Sequence, residues 1–251
     1  MDKYKVFAVG IGPGSPELLT GQARRVLEQC TTVVGYQLYL DQIRGLLGGK
    51  RLVPGAMRRE IERCREALDS ALAGETVAVV SSGDAGVYGM AGLLLELTEL
   101  EPYREIEIEV IPGVTAALAA AALIGAPFMN DFAVLSLSDL MTDRETILKR
   151  LRAAASCDLP AALYNPCSRK RHDLLEEAVA IFREAGGALP CALVHDAYRE
   201  KERITLATLG AFPFEEVRMT TIVIVGNSET VVRDGRFYCR RGYRGKDEFN
   251  A

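Results

Sequence analysis

The segment Ser81-Ser-Gly-Asp-Ala-Gly-Val-Tyr-Gly89 gathers a carboxylate, an aromatic ring and three glycines within nine residues. It follows the apolar run Val77–Val80 and precedes Met90–Leu95, so it reads as a turn from a buried parallel strand into a helix. Ligands of α/β sheets bind outside the carboxyl ends of the strands, where glycines bare the backbone and helix starts offer free N–H groups. A carboxylate buried there needs a partner, either a ligand or, if the turn is only a turn, the helix that Asp84 would cap. A second loop, Gly10-Ile-Gly-Pro-Gly14, follows the first strand. It fails the dinucleotide fingerprint, because the third glycine would fall on Ser15 and the second strand ends in Val33-Val-Gly-Tyr36 without an acid. No Gly-Lys-Ser/Thr follows, which removes the nucleotide phosphate loop as well. The six cysteines include no Cys-x-x-Cys pair, and with only His172 and His195 beside them no zinc or iron–sulfur spacing is assembled. The chemistry expected here uses no metal held by the protein.

These loops must be carried by sheets. With 251 residues, nearly half of them apolar and a quarter charged, the chain has the composition of a soluble globular protein and room for two modest domains. A net charge of −4 argues against a general nucleic-acid binder. The N-terminus runs into a strand without the apolar region of a signal peptide, and Ala116–Ile124 is too short to span a bilayer, so a cytoplasmic protein without membrane partners is expected.

Strands are predicted at Val6–Val9, Thr31–Val34, Val77–Val80 and Ile106–Val110, the last an edge strand whose isoleucines and valine alternate with Glu107 and Glu109. Between them one helix carries Leu19, Ala23, Val26, Leu27 and Cys30. Another starts at Met57 and carries Ile61, Cys64, Leu68 and Leu72 on its apolar face, with Arg58, Arg59, Glu62, Arg63 and Glu66 off it. This β/α alternation predicts a mainly parallel sheet. Ile111-Pro-Gly-Val-Thr115 breaks the pattern ahead of a helix of very small residues, which sets the expected domains at 1–112 and 113–251. In the second, strands are predicted at Ala133–Leu137, Ala161–Tyr164, Ala192–Val194 and Thr221–Val225, with two helices among them and a hairpin turning at Asp234-Gly235.

Four pieces together resemble the tetrapyrrole methylases, a family that uses S-adenosylmethionine (SAM). They are Val9–Gly14 with Leu18-Leu-Thr20, Ser82–Tyr88, Ile111–Ala116 and Thr220–Gly226, in the family's order and spanning nearly the whole chain. Met57–Arg63, Asp131–Leu140, Ala162–Pro166 with Ser168–Arg171, Gly226–Ser228 and Arg241–Tyr243 are similar to the subgroup that methylates C17 of precorrin-3B or cobalt-factor III. The chain departs from that pattern at Asn130, where a histidine is expected, and at Asp143-Arg144, which replaces a Pro-Trp-like pair. The longer variant with an iron–sulfur extension after the last residue is not expected.

The resemblance implies two successive α/β domains with SAM in a cleft between them, a homodimer, and methylation at C17 with ring contraction in cobalamin biosynthesis. C11- or C20-methylation is the nearest alternative; a nicotinamide-dependent oxidoreductase and a non-catalytic binding module are more distant ones. Matched residue by residue, Gly83, Asp84 and Val87 hold the amino-acid portion of SAM, and Thr115 and Ala116 make a second contact. Asn165 takes the place of a methionine contact, and Ala197, Thr221 and Ile222 lie near the adenine. Gly10, Gly12 and Gly14 match the substrate-side loop. A macrocycle bearing several carboxylates calls for cations, for which Arg58, Arg59, Arg169, Lys170, Arg171 and Arg199 are candidates. Ring contraction requires proton transfers, for which Asp84, Ser136, Ser138, Asp139 and Tyr164 are candidates. Asp84, Ser138 and Tyr164 are the catalytic residues expected, while His195 reads as a packed or capping residue.

Overall fold

The computed structural model describes residues 4–55, 59–167 and 173–243, and the chain divides into two compact units, Met1–Ala116 and Ala117–Ala251. The first is built on strands β1 (Lys5–Gly10), β2 (Thr32–Tyr36), β3 (Arg51–Gly55), β4 (Val77–Ser81) and β5 (Glu107–Ile111). They lie in the order β3-β2-β4-β1-β5, and every neighbouring pair is parallel. Helices α1 (Gly21–Gln29), α2 (Gln37–Gln42), α3 (Glu60–Leu72) and α4 (Ala91–Leu97) link them.

Side chains alternate between the faces of a strand, so an inner strand covered on both faces is apolar throughout. Val6 and Ala8 of β1 and Val77 and Val79 of β4 join Cys64, Ala67 and Leu68 of α3 and Leu94 of α4 in one core. Val9, Ala78 and Val80 point the other way and join Ala23 and Leu27 of α1 and Leu40 of α2 in a second.

Three side chains lie elsewhere than the periodicity predicts. Ile61, expected on the buried face of α3, is 54% exposed, whereas Arg63, expected off it, is only 6% exposed. Gly55 at the end of β3 makes the room for Arg63: a Cβ there would lie 2.5 Å from its Nε. Val110 is also exposed on the edge strand β5, although Ile106 and Ile108 join the core. Its neighbours Glu107 and Glu109 both pair with Lys5 across from β1.

The second unit holds β6 (Gly125–Ala126), β7 (Ala133–Ser136), β8 (Ala161–Tyr164), β9 (Pro190–His195), β10 (Arg203–Thr208), β11 (Thr221–Val225), β12 (Thr230–Arg233) and β13 (Arg236–Cys239). Its main sheet runs β10-β9-β11-β8-β7, parallel only between β7 and β8; β12, β13 and β6 form a small sheet. Helix α5 (Ala116–Ile124) opens the unit, and α6 (Arg144–Ser156) and α7 (Asp173–Gly186) follow. Leu148 and Leu151 of α6 and Ala178 and Phe182 of α7 pack on Ala161, Leu163, Leu193, Val223 and Val225 of the sheet.

The Asp143-Arg144 pair has a structural role. Asp143 is the N-cap of α6, accepting from the backbone N–H (2.9 Å) and hydroxyl (2.8 Å) of Thr146, and these bonds hold its carboxyl pKa below the usual range. Arg144 ties α6 to α7 through Asp173 and Glu177. Asn130 donates its amide to the Arg240 carbonyl at 3.3 Å. Among the described residues no helix is long and apolar enough to cross a membrane.

Candidate functional site

In the first unit the loops after β1, β4 and β5 leave from the same edge of the sheet, because β4 and β5 flank β1 in parallel register. They are fastened to one another by backbone. Ile11 N–H donates to the Ser81 carbonyl (2.9 Å), and Gly12 and Gly83 exchange both of their bonds, at 3.0 and 2.7 Å. The third loop arrives through Asp84. Its Oδ2 accepts from Gly113 N–H at 2.9 Å, while its Oδ1 accepts from Gly86 N–H at 2.8 Å. Asp84 is therefore not the cap of the following helix: Met90 precedes α4 without a side-chain cap, and Ser81 Oγ accepts from Met90 N–H at 3.1 Å. A carboxylate tied to a residue 29 positions away closes a loop where a cap would end a helix.

The glycines of these loops are fixed by contact. A Cβ on Gly113 would sit 2.1 Å from the Gly83 carbonyl oxygen, and one on Gly10 would sit 2.7 Å from both that oxygen and Gly113 N. Neither neighbour is a flexible side chain that could move aside. Beyond this knot the chain opens outward. Gly86 and Tyr88 are exposed, Val87 and Gly89 are half-buried, and Tyr88 is held at φ 54°. The N–H groups of Val87 and Gly89 have no hydrogen-bond partner among the described residues. A rim of free amides beside a carboxylate suits a ligand that carries both an anionic and a cationic group.

The second unit also assembles one sheet edge. Ser136 lies level with Tyr164, and His195 level with Thr221, so the ends of β7, β8 and β9 and the start of β11 fall together. Here side chains make the connections. Ser136 Oγ accepts from Asn165 Nδ2 at 2.9 Å and from Ser138 N–H at 3.2 Å, and Tyr164 Oη accepts from Ala117 N–H at 2.8 Å. His195 Nδ1 lies 2.8 Å from Thr221 Oγ1, which also accepts from Arg218 N–H at 2.8 Å. His195 is 4% exposed and its Nε2 has no partner among the described residues. Burial, reinforced by Arg203, pushes the imidazole pKa down and so disfavours the charged ring. Asn165, Asp196 and Tyr198 have φ of 53°, 45° and 58°. Non-glycine residues in the left-handed region cost about 1–3 kcal/mol each and collect at binding and catalytic sites.

The expected site residues thus fall into two groups. Gly10, Gly12, Gly83, Asp84, Val87, Thr115 and Ala116 belong to the first unit, and Ser138, Tyr164, Asn165, Ala197, Thr221 and Ile222 to the second. Gly14 lines a cavity described below. Arg59 precedes α3 and pairs with Glu62 at 3.4 Å with both side chains exposed, and Arg199 pairs with Asp196 at 3.8 Å. Arg58, Arg169, Lys170 and Arg171 lie outside the described residues. Gly113, which anchors Asp84, is not among the expected site positions and is legible only as part of Ile111–Thr115, while Ser136, one of the proton-transfer candidates, anchors Asn165.

The tetrapyrrole (corrin/porphyrin) methylase model matches residues 5–213. A probable cobalt-factor III C(17)-methyltransferase of Salmonella typhimurium is 46% identical over 236 residues, which is 94% of this chain and 98% of that one. Among solved structures, the methyltransferase CobJ superposes with a TM-score of 0.89 at 35% identity, covering 95% of this chain and all of that one. The uroporphyrin-III C-methyl transferase of Thermus thermophilus, solved with S-adenyl homocysteine, superposes at 0.71 with 27% identity, over 88% of this chain and 97% of that one. With the matched loops fastened at one sheet edge and the match running along most of its length, the chain belongs to the tetrapyrrole methylases.

Proposed function

We propose that this protein is a SAM-dependent C-methyltransferase that methylates C17 of cobalt-factor III or precorrin-3B and contracts the macrocycle, in cobalamin biosynthesis. The observation that carries this reading is the 46% identity to a probable cobalt-factor III C(17)-methyltransferase along 94% of the chain. SAM, when bound, supplies a methyl group on a sulfonium and so needs no covalent nucleophile from the enzyme. What the chain contributes is binding and alignment, and alignment alone is worth up to about 7–11 kcal/mol of barrier.

Gly83, Asp84 and Val87 hold the amino-acid end of the cofactor. The free amides of Val87 and Gly89 suit its carboxylate, and the oxygens of Asp84, each already engaged once, keep lone pairs for its ammonium. Thr115 and Ala116 continue that contact. In the second unit Asn165, Ala197, Thr221 and Ile222 serve the adenine end. The loop of Gly10, Gly12 and Gly14 faces the macrocycle, whose carboxylates Arg58, Arg59 and Arg169 receive. Asp84, Ser138 and Tyr164 handle the protons of ring contraction. The enzyme works in the cytoplasm as a homodimer, with no nucleic-acid or membrane partner and no metal of its own; any cobalt arrives in the substrate.

Anaerobic incubation with SAM and, in separate reactions, cobalt-factor III and precorrin-3B tests the reading by mass and NMR analysis. A methyl at C17 on a contracted ring is expected. Methylation at C11 or C20 overturns the assignment, and binding without product makes the protein a binding module. Asp84→Ala is expected to weaken S-adenosyl homocysteine binding at least tenfold by calorimetry while the protein stays folded. Unchanged affinity removes Asp84 from the cofactor site.

A further inference from the structure

One cavity of the first unit has no assigned occupant. It encloses ≈ 270 Å³ between the Gly10–Gly14 loop and the segment following α2, and its lining includes Gly14, Ser15, Leu19, Arg24, Gln42 and Ile43. That volume is below the roughly 300–1,000 Å³ of sites that enclose a whole small molecule, so it fits one arm of a larger ligand. Leu19 and Ile43 are buried and give it an apolar floor. Two polar side-chain groups of the lining make no bond among the described residues, one of them buried and the other, Arg24, exposed to solvent. Gln42 Oε1 is buried without a hydrogen-bond partner, and the Arg24 guanidinium has neither an ion pair nor a hydrogen bond among the described residues.

Among the described residues no carboxylate pairs with Arg24, Glu28 one turn along α1 included, and Asp41 is engaged by Arg44 at 2.6 Å and by Gln37 at 3.1 Å. An unpaired guanidinium at the mouth and a primary amide within, over an apolar floor, match a short alkyl chain ending in a carboxylate. On such an arm the methylenes would rest on Leu19 and Ile43, Arg24 would take the carboxylate bidentately, and the Gln42 amide would turn its N–H toward it.

We infer that this cavity receives one carboxylate-terminated arm of the macrocycle, with Arg24 and Gln42 as the residues that recognise it. The inference rests on the tetrapyrrole reading of the substrate and assigns a contact made by neither the cofactor-side loop nor the arginines named above.

The test uses uroporphyrin III, a stable macrocycle with eight carboxylates, and its octamethyl ester, in fluorescence titrations of the whole protein. The wild type is expected to bind the acid and not the ester. Arg24→Gln and Gln42→Leu are each expected to weaken the acid about tenfold, Arg24→Lys by less, with S-adenosyl homocysteine affinity and Tm unchanged. In turnover assays the same variants raise KM and leave kcat alone. Equal affinity of wild type and Arg24→Gln for the acid overturns the inference, as does equal binding of acid and ester, or no binding by the wild type. If the Arg24 effect is present but the wild type makes no C17-methylated product, the cavity assignment stands and the proposed reaction falls.

Discussion

The two units build their strand-end clusters by different means. In the first, the loops after β1, β4 and β5 are joined largely through backbone, with Asp84 bringing in the third loop, Thr20 donating to the Pro112 carbonyl, and glycines at the points of closest approach. In the second, the connections run through Ser136, Asn165, Tyr164, His195 and Thr221, and the irregular turns are taken by non-glycine residues held in the left-handed region. A backbone knot constrains few side chains but forbids a Cβ at certain positions. A side-chain network constrains identities and tolerates many backbones. The second also stores about 1–3 kcal/mol of strain at each left-handed residue.

The comparison breaks most sharply at Gly113. A methyl group 2.1 Å from a carbonyl oxygen forces three loops apart, and no side chain can yield. Gly113→Ala is expected to destabilise the protein by about 3 kcal/mol or more, at the upper end of overpacking. That corresponds to a Tm lower by about 6–12 °C, with cofactor binding lost in parallel. The matched change in the second unit is Asn165→Gly, which removes a strained side chain at φ 53° along with one hydrogen bond and should move Tm little. Similar losses at both positions, read by calorimetry, would abolish the distinction between a backbone knot and a side-chain network.

The same contrast explains what sequence reading reaches. Val77–Val80 and Thr221–Val225 are legible because inner strands are covered on both faces and leave an apolar run. β3 and β10 are edge strands with exposed and polar positions, Pro54 included, and neither carries such an apolar run to read. The glycine-rich loops stand out because a knot of bare backbone dictates residue type. Asp84 reads as needing a partner, but local spacing offers only a cap, whereas its true partners include an N–H far along the chain. The burial of Arg63 depends on the approach of Gly55 from another strand, which no helical period encodes.

A smaller effect is expected at Tyr164, which the side-chain network uses as an acceptor for Ala117 N–H in the first turn of α5. Tyr164→Phe keeps the ring and deletes that acceptor, a loss of about 1 kcal/mol and about 2–4 °C in Tm. If the hydroxyl also moves protons in ring contraction, kcat falls about a hundredfold or more with KM unchanged. Loss of stability with full turnover would assign Tyr164 to the frame alone, and no change in Tm would remove it from the frame.

The smallest effect concerns His195 and appears only with pH. Its ring is buried among groups of both signs: Arg203 on β10 and Arg218 ahead of β11 disfavour protonation, while Glu216 and Asp196 favour it. Burial is the largest influence, and the folded-state pKa is lowered from the ordinary 6.5. Below that ordinary value the unfolded chain takes up a proton that the folded chain resists, so protonation favours unfolding. The contribution is whole above about pH 6.5, is lost as pH falls toward the lowered folded-state pKa, and does not grow further beneath it. His195→Gln retains a group able to bond Thr221 and removes the titration. Across about pH 5.5–8, above the range where most carboxylates titrate, the wild-type Tm should decline toward acid more steeply than that of the variant. The two curves therefore converge, or cross, at the acid end. Parallel curves would mean that His195 is protonated as readily in the folded protein as in the unfolded one, which its buried, unpartnered Nε2 argues against.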